Sequence, residues 1–197
     1  MRNLKQKLVL LVLLMITSLG FGKTKDNFEG SITILNDTKL KLVFDDVKKG
    51  QFLNLYDESN NMLYSEKIDK EGELIKILDL SFLKNGDYKI ELEKDFKVLI
   101  NKIKIKGNQV ILNNNSNETV FKPLIRNDQE LLLISKIAFD EKPLNVFIYY
   151  KDEMIYSETL NDDTLINRVY RLNKELVGNY RVILTCNDRD YSYDFNI

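Results

Sequence analysis

The sequence predicts an all-β protein made of two tandem seven-stranded β-sandwiches, and three observations carry that prediction. The first is Gly86-Asp87-Tyr88-Lys89-Ile90-Glu91-Leu92, where Tyr88, Ile90 and Leu92 alternate with polar residues. A period of two sets these three on one face of a strand, half-buried against a second sheet. The second is a copy, Gly178-Asn179-Tyr180-Arg181-Val182-Ile183-Leu184, with Tyr180, Val182 and Leu184 in the same places. Each copy opens on a turn-permissive glycine, Gly86 or Gly178. The third is the rest of the chain, a series of short alternating runs split by turn residues, with no long helical period.

The repetition extends beyond those strands. Met62-Leu63-Tyr64-Ser65-Glu66 recurs as Met154-Ile155-Tyr156-Ser157-Glu158, 92 residues later. The same offset carries Ile68 to Leu160, Leu80 to Leu172 and Tyr88 to Tyr180. Upstream, Leu53-Asn54-Leu55-Tyr56 matches Val146-Phe147-Ile148-Tyr149 once one residue is dropped from the intervening turn. A turn is where a duplicated β-domain tolerates such an indel.

Taken in order, residues 1–22 read as a cleaved secretory leader. Arg2, Lys5 and Lys7 precede an apolar run from Leu8 to Phe21, and cleavage is expected after Gly20 or Gly22. The run is shorter than the ~20 residues needed to cross a bilayer, so no membrane span is expected after cleavage. The product is expected to be exported, to the periplasm, the outer cell surface or the medium. Losing three basic residues takes the formal charge from -1 to -4. That balance lacks the basic footprint of a nucleic-acid-binding protein.

The first sandwich is expected over residues 26–112. Its strands are read at Ser31 to Leu35, Lys39 to Phe44, Gln51 to Tyr56, Met62 to Ile68, Glu73 to Leu80, Gly86 to Glu93 and Val98 to Lys106. Residues 113–118, rich in Asn, read as a short linker. The second sandwich is expected over residues 119–197, opening with Thr119 to Ile125 and closing on the alternating Tyr191, Tyr193, Phe195 and Ile197. Cys186 is the only cysteine, so no internal disulfide is available, and it continues the Tyr180, Val182, Leu184 face into the core.

Two resemblances bear on these residues. The Gly-x-Tyr strand resembles a tyrosine corner, in which the phenol oxygen returns to the backbone of an immunoglobulin-type strand. This gives Gly86, Tyr88, Gly178 and Tyr180 structural roles. Leu53-Asn54-Leu55-Tyr56-Asp57, Leu63-Tyr64-Ser65, and Ile77 through Tyr88 with its Asp-Leu-Ser and Asn-Gly-x-Tyr together resemble the C-terminal sorting domain of the type IX secretion pathway of Bacteroidetes. The match covers about forty residues of the first copy, and implies a seven-stranded immunoglobulin-like sandwich from a bacterium of that phylum. Sorting domains of that family lie at the C-terminus, whereas the better match here is internal. Asp163-Thr164-Leu165 resembles the O-glycosylation sequence of the same phylum and marks Thr164 as a candidate for modification.

The chain has no histidine, which excludes triads using an imidazole base and, with one cysteine, leaves no expected zinc site. Asp45-Asp46, Asp162-Asp163 and Glu71 with Glu73 could supply a glycosidase-like acid and base. All fall in or beside expected turns, where carboxylates bond their own backbone. Asn113 to Glu118 offers oxygen ligands for calcium but follows no calcium-loop pattern and reads as linker. Lys102, Lys104 and Lys106 form a stripe on one strand face, as in edge-strand protection, with anion binding as the alternative. Of the adjacent Tyr149 and Tyr150, one must face inward and one outward, where it could stack on a sugar or a partner. No cofactor is expected. The resulting expectation is an exported, non-enzymatic binding or structural module of the cell envelope, with an unidentified protein or glycan partner. The alternatives are a secretion-linked role, with one sandwich recognised by type IX export machinery, and a carboxylate-based glycosidase-like enzyme.

Overall fold

The computed structural model describes residues 29–161 and 164–197, with backbone alone at 113–116. The leader at 1–22 and the pair Asp162-Asp163 lie outside the described residues. The described chain is all-β, as the alternation requires. The first eight strands are β1 (Ser31–Asn36), β2 (Lys39–Val47), β3 (Phe52–Asp57), β4 (Met62–Lys67), β5 (Gly72–Asp79), β6 (Gly86–Glu93), β7 (Lys97–Lys106) and β8 (Gln109–Phe121). They build a three-stranded sheet, β1-β2-β5, facing a five-stranded one, β4-β3-β6-β7-β8. The second copy comprises β9 (Leu124–Asp128), β10 (Leu131–Ile137), β11 (Leu144–Tyr150), β12 (Glu153–Leu160), β13 (Leu165–Arg171), β14 (Asn179–Cys186) and β15 (Arg189–Asn196). Its sheets are β9-β10-β13 and β12-β11-β14-β15, the same plan with one strand fewer.

Each sandwich is held by its own interior. Leu40, Leu42 and Phe44 of β2 face Leu53, Leu55, Ile90 and Leu92 of the opposing sheet, all buried. The second core repeats this with Leu132 and Ile134 against Val146, Ile148, Tyr180, Val182, Leu184 and Cys186. Each such side chain contributes about 1.5–3 kcal/mol by leaving water, enough to support a domain without a disulfide. Burial pushes the Cys186 thiol above its ordinary pKa, as befits a small core hydrophobe.

The repeated Tyr-x-Glu has a structural cause. β4 and β5 lie in different sheets, and the Tyr64 hydroxyl donates to Glu66, which also holds the Lys76 ammonium of β5 at 2.5 Å. In the second copy Glu158 of β12 accepts from Tyr170 (2.8 Å) and Arg168 (2.8 Å) of β13, and from Tyr156 (3.3 Å). The motif ties one sheet to the other along the open side of each sandwich.

The polar run 113–118 differs from expectation: it lies within β8 and is not a connection. Asn101 pairs with Asn117 and Ile103 with Leu112, so residues 113–116 form a bulge opposite Lys102, and the strand then resumes. Nothing in the run lacks a backbone N–H, and Thr119-Val120-Phe121 suits a ladder, with Val120 opposite Val98. The ladder stops at Pro123, which has no N–H to give, and β9 begins at Leu124 in the other sandwich. The strand expected from Thr119 to Ile125 is therefore divided between the two bodies.

Candidate functional site

The two key tyrosines close corners of similar geometry. The Tyr88 hydroxyl donates to Lys84 O at 2.9 Å and the Tyr180 hydroxyl to Leu176 O at 2.8 Å, each four residues upstream. Tyr180 is fully buried and stacks on Phe195 at 5.5 Å, whereas Tyr88 is half-buried. The glycines diverge. Gly178 has φ +142°, which only glycine adopts readily, while Gly86 stays outside the positive-φ region and lies beneath the Tyr88 ring. Tyr150 also turns inward, donating to Val177 O at 3.0 Å, and Tyr149 occupies the opposite face of β11.

Most of the chemistry gathers where the sandwiches meet. On the outer face of the five-stranded sheet, Val98, Ile100 and Val120 form a buried cluster apart from either core. Beside them Glu91, 1% exposed, accepts from Arg189 Nη2 of β15 at 2.5 Å through Oε2. Lys89 Nζ lies 3.1 Å from the other carboxylate oxygen and 5.0 Å from the Tyr56 ring centroid. That contact is an ion pair without hydrogen-bond alignment, so Oε1 has charge compensation but no aligned donor. Two cations on one buried carboxylate offset its desolvation. Nearby, Lys122 Nζ reaches Glu93 at 2.7 Å, and Phe121 meets Phe139 edge-on at 6.2 Å. Tyr191 is half-buried against the second core, and its enclosed hydroxyl has its pKa pushed up to about 12, mainly by burial.

The turn that delivers Arg189 is itself held in place. Asn187 and Asp188 have φ of 53° and 57°, the left-handed pair of a tight hairpin. Asn187 Nδ2 donates to Asp140 Oδ2 at 2.6 Å, and the buried Lys136 ammonium reaches the same carboxylate at 2.8 and 3.1 Å. Burial works against ionisation of Asp140, yet these bonds hold its carboxyl below the usual range. On the other side of the joint Glu29 bridges Lys94 (2.8 Å) and Lys97 (2.5 Å), which keeps its carboxyl low.

Two clefts flank the joint. One, of about 450 Å³, is apolar, with Phe96, Phe121, Leu124, Ile137 and Leu165 in its lining. The other, of about 340 Å³, is polar and is lined from the first sandwich by Tyr56, Asn60 and Glu91 and from the second by Lys142, Asn187 and Arg189. Sequence reasoning did not find Glu91 or Arg189. Glu91 reads as the solvent side of an alternating strand, and its partner is 98 residues away. The available signal was Val98-Leu99-Ile100, an unbroken apolar run that implies burial on both faces.

The lysine stripe is not on an edge strand, since β8 covers β7. Lys102 pairs with Glu118 and Lys104 with Asp87, both at 3.1 Å. Asp45, Asp46, Glu71 and Glu73 are exposed and not gathered with one another around a cavity. Among the described residues no group of three His, Cys, Asp or Glu side chains could hold a metal ion. Thr164 is exposed just before β13, its carbonyl accepting from Ala138 N at 2.9 Å.

No family model matches the chain, and no curated protein matches it. Solved structures similar to it include a tetra-tandem repeat from the extending region of a large adhesion protein, 14% identical with a TM-score of 0.30, covering 85% of this chain and 48% of that one. The BSP domain of a biofilm-associated protein is 9% identical with a TM-score of 0.27, covering 86% and 29%. The ligand-binding domain of human OSCAR is 8% identical with a TM-score of 0.24, covering 85% and 96%. The chain thus spans less than half of the first two. Scores this low decide nothing about function, and the fold stated above rests on strand pairing alone.

Proposed function

We propose that this chain is an exported, non-enzymatic β-sandwich module acting at the cell envelope, where it binds a partner or serves as a structural element. The observation that supports this best is the joint. Across it Glu91 of the first sandwich binds Arg189 of the second, and around that pair Glu29, Glu93 and Asp140 are each bonded to lysine, so the carboxylates of the joint are engaged in holding structure. A fixed pair of sandwiches presents a continuous surface to a partner, with its loops and outer sheet faces held in register.

Two measurements test the reading. In its native host, the chain is expected to lose its leader and to become accessible to protease added to intact cells. Retention in the cytoplasm at full length overturns export. The purified protein is expected to give no turnover on chromogenic glycosides, and turnover abolished by replacing one carboxylate pair overturns the non-enzymatic assignment.

A further inference from the structure

The polar cleft of the joint restricts what it can hold. Both sandwiches line it, with Ile100 and Val120 as its aliphatic residues. Four cationic and three anionic side chains reach it, so its charges nearly balance. Two acceptors on its lining, Glu91 Oε1 and Asn187 Oδ1, are buried without a hydrogen-bond donor among the described residues. Lys89 Nζ compensates the charge of Glu91 Oε1 without an aligned hydrogen bond, so both acceptors gain from a donor that enters the cleft. Lys142, also in the lining, forms no ion pair among the described residues, and its Nζ offers donors.

Each simple class of ligand meets this lining differently. A metal ion would supply positive charge to Glu91, but Lys89 and Arg189 already stand on that carboxylate. An anion could accept from Lys142, but it would confront Glu91 and leave both orphan acceptors unsatisfied. A hydroxyl donates and accepts at once. Adjacent hydroxyls on one ring can therefore donate to Glu91 Oε1 and Asn187 Oδ1 and accept from Lys142. The C–H face of the same ring suits the apolar part of the lining, Ile100, Val120 and the Tyr56 ring. The volume, at the small end of ligand clefts, fits a short saccharide. We infer that this cleft binds a neutral polyhydroxylated ligand with the chemistry of a saccharide. The inference rests on the binding-module reading and deepens it by naming the ligand class.

The test uses the full chain after leader removal, labelled with nitrogen-15 and titrated with maltose, cellobiose and diacetylchitobiose, with heparin as the anionic comparison. At least one neutral disaccharide is expected to shift the side-chain amide signals of Asn60 and Asn187 saturably, with little change in affinity at high salt. Lys142→Ala, an exposed position outside both cores, is expected to weaken that binding about fivefold at unchanged melting temperature, the loss of one hydrogen bond. Three results overturn the assignment: no shift with any of the three sugars, shifts that leave Asn60 and Asn187 unmoved, or binding of heparin alone that salt abolishes. A chain that fails here yet is processed and exposed on the cell overturns only the cleft assignment. One that binds sugar but stays in the cytoplasm overturns only the envelope reading.

Discussion

Replacing Arg189 by alanine strands Glu91 inside the joint. Breaking a buried ion pair from one side costs about 3–5 kcal/mol, because the surviving charge is left in a poorly hydrated place. Lys89 Nζ remains 3.1 Å from Oε1, which puts the expected loss near the bottom of that range, about 3 kcal/mol. The loss falls on the joint, since Arg189 belongs to neither core. The first effect should be uncoupling. Urea unfolding, followed by tyrosine fluorescence and far-ultraviolet circular dichroism, is expected to show the sandwiches unfolding together in the parent and in two steps in Arg189→Ala. The companion variant Glu91→Leu with Arg189→Met removes both charges and keeps apolar volume. It is expected to match or exceed the parent, because replacing a buried pair outright is often stabilising by about 1–4 kcal/mol. An Arg189→Ala loss below about 1 kcal/mol with a single transition would refute the reasoning. A double variant as unstable as the single one would do the same.

The other predictions concern the corners and the acid limb. Tyr180→Phe should cost about 1–3 kcal/mol in urea unfolding, since it leaves Leu176 O without its donor at a buried tyrosine, and Tyr88→Phe less because that corner meets water; equal losses would contradict the burial argument. Glu29 has its pKa lowered below 4.5, first by the Lys94 hydrogen bond and then by Lys97, so its contribution is present above that value and is lost as pH falls through the folded pKa. Glu29→Gln is therefore expected to lower the melting temperature at neutral pH and to converge on the parent in acid, and a gap that widens on acidification would refute it.

Alternation made the interior legible before any coordinates. Tyr88, Ile90 and Leu92, with their counterparts 92 residues on, face inward as a period of two demands. The duplication was legible for the same reason, because both copies must fill the same interior and tie the same sheets through Tyr-x-Glu. The 113–118 run was not legible. An Asn-rich segment reads as a turn from local preference, and only the free flank of β7, a tertiary feature, makes it a strand with a bulge. The joint was hidden for a related reason. The facing rule assumes that one side of a two-layer sheet meets water, and here the second sandwich covers that side.

The copies cannot exchange places, because their outer faces differ. On the outer face of the key sheet, Glu91, Val98 and Ile100 correspond at the 92-residue offset to Ile183, Asp190 and Ser192. The first set is buried by the neighbouring sandwich, while in the second set Ile183 is half-buried and Asp190 and Ser192 are exposed. The cations diverge as well. Arg189 crosses the joint to Glu91, whereas its counterpart Lys97 stays within its own sandwich and binds Glu29. Across the one-residue indel Glu29 itself corresponds to Lys122, which binds Glu93 of the first sandwich. Interiors that match and outer faces that differ in charge and polarity give the pair a polarity. One sandwich supplies the carboxylate-bearing face and the other supplies the turn that docks on it. A second copy placed first would set Ile183 opposite the incoming guanidinium, with no carboxylate to receive it. The duplication therefore accounts for two sandwiches, and the divergence of this one face accounts for their joining in a single order.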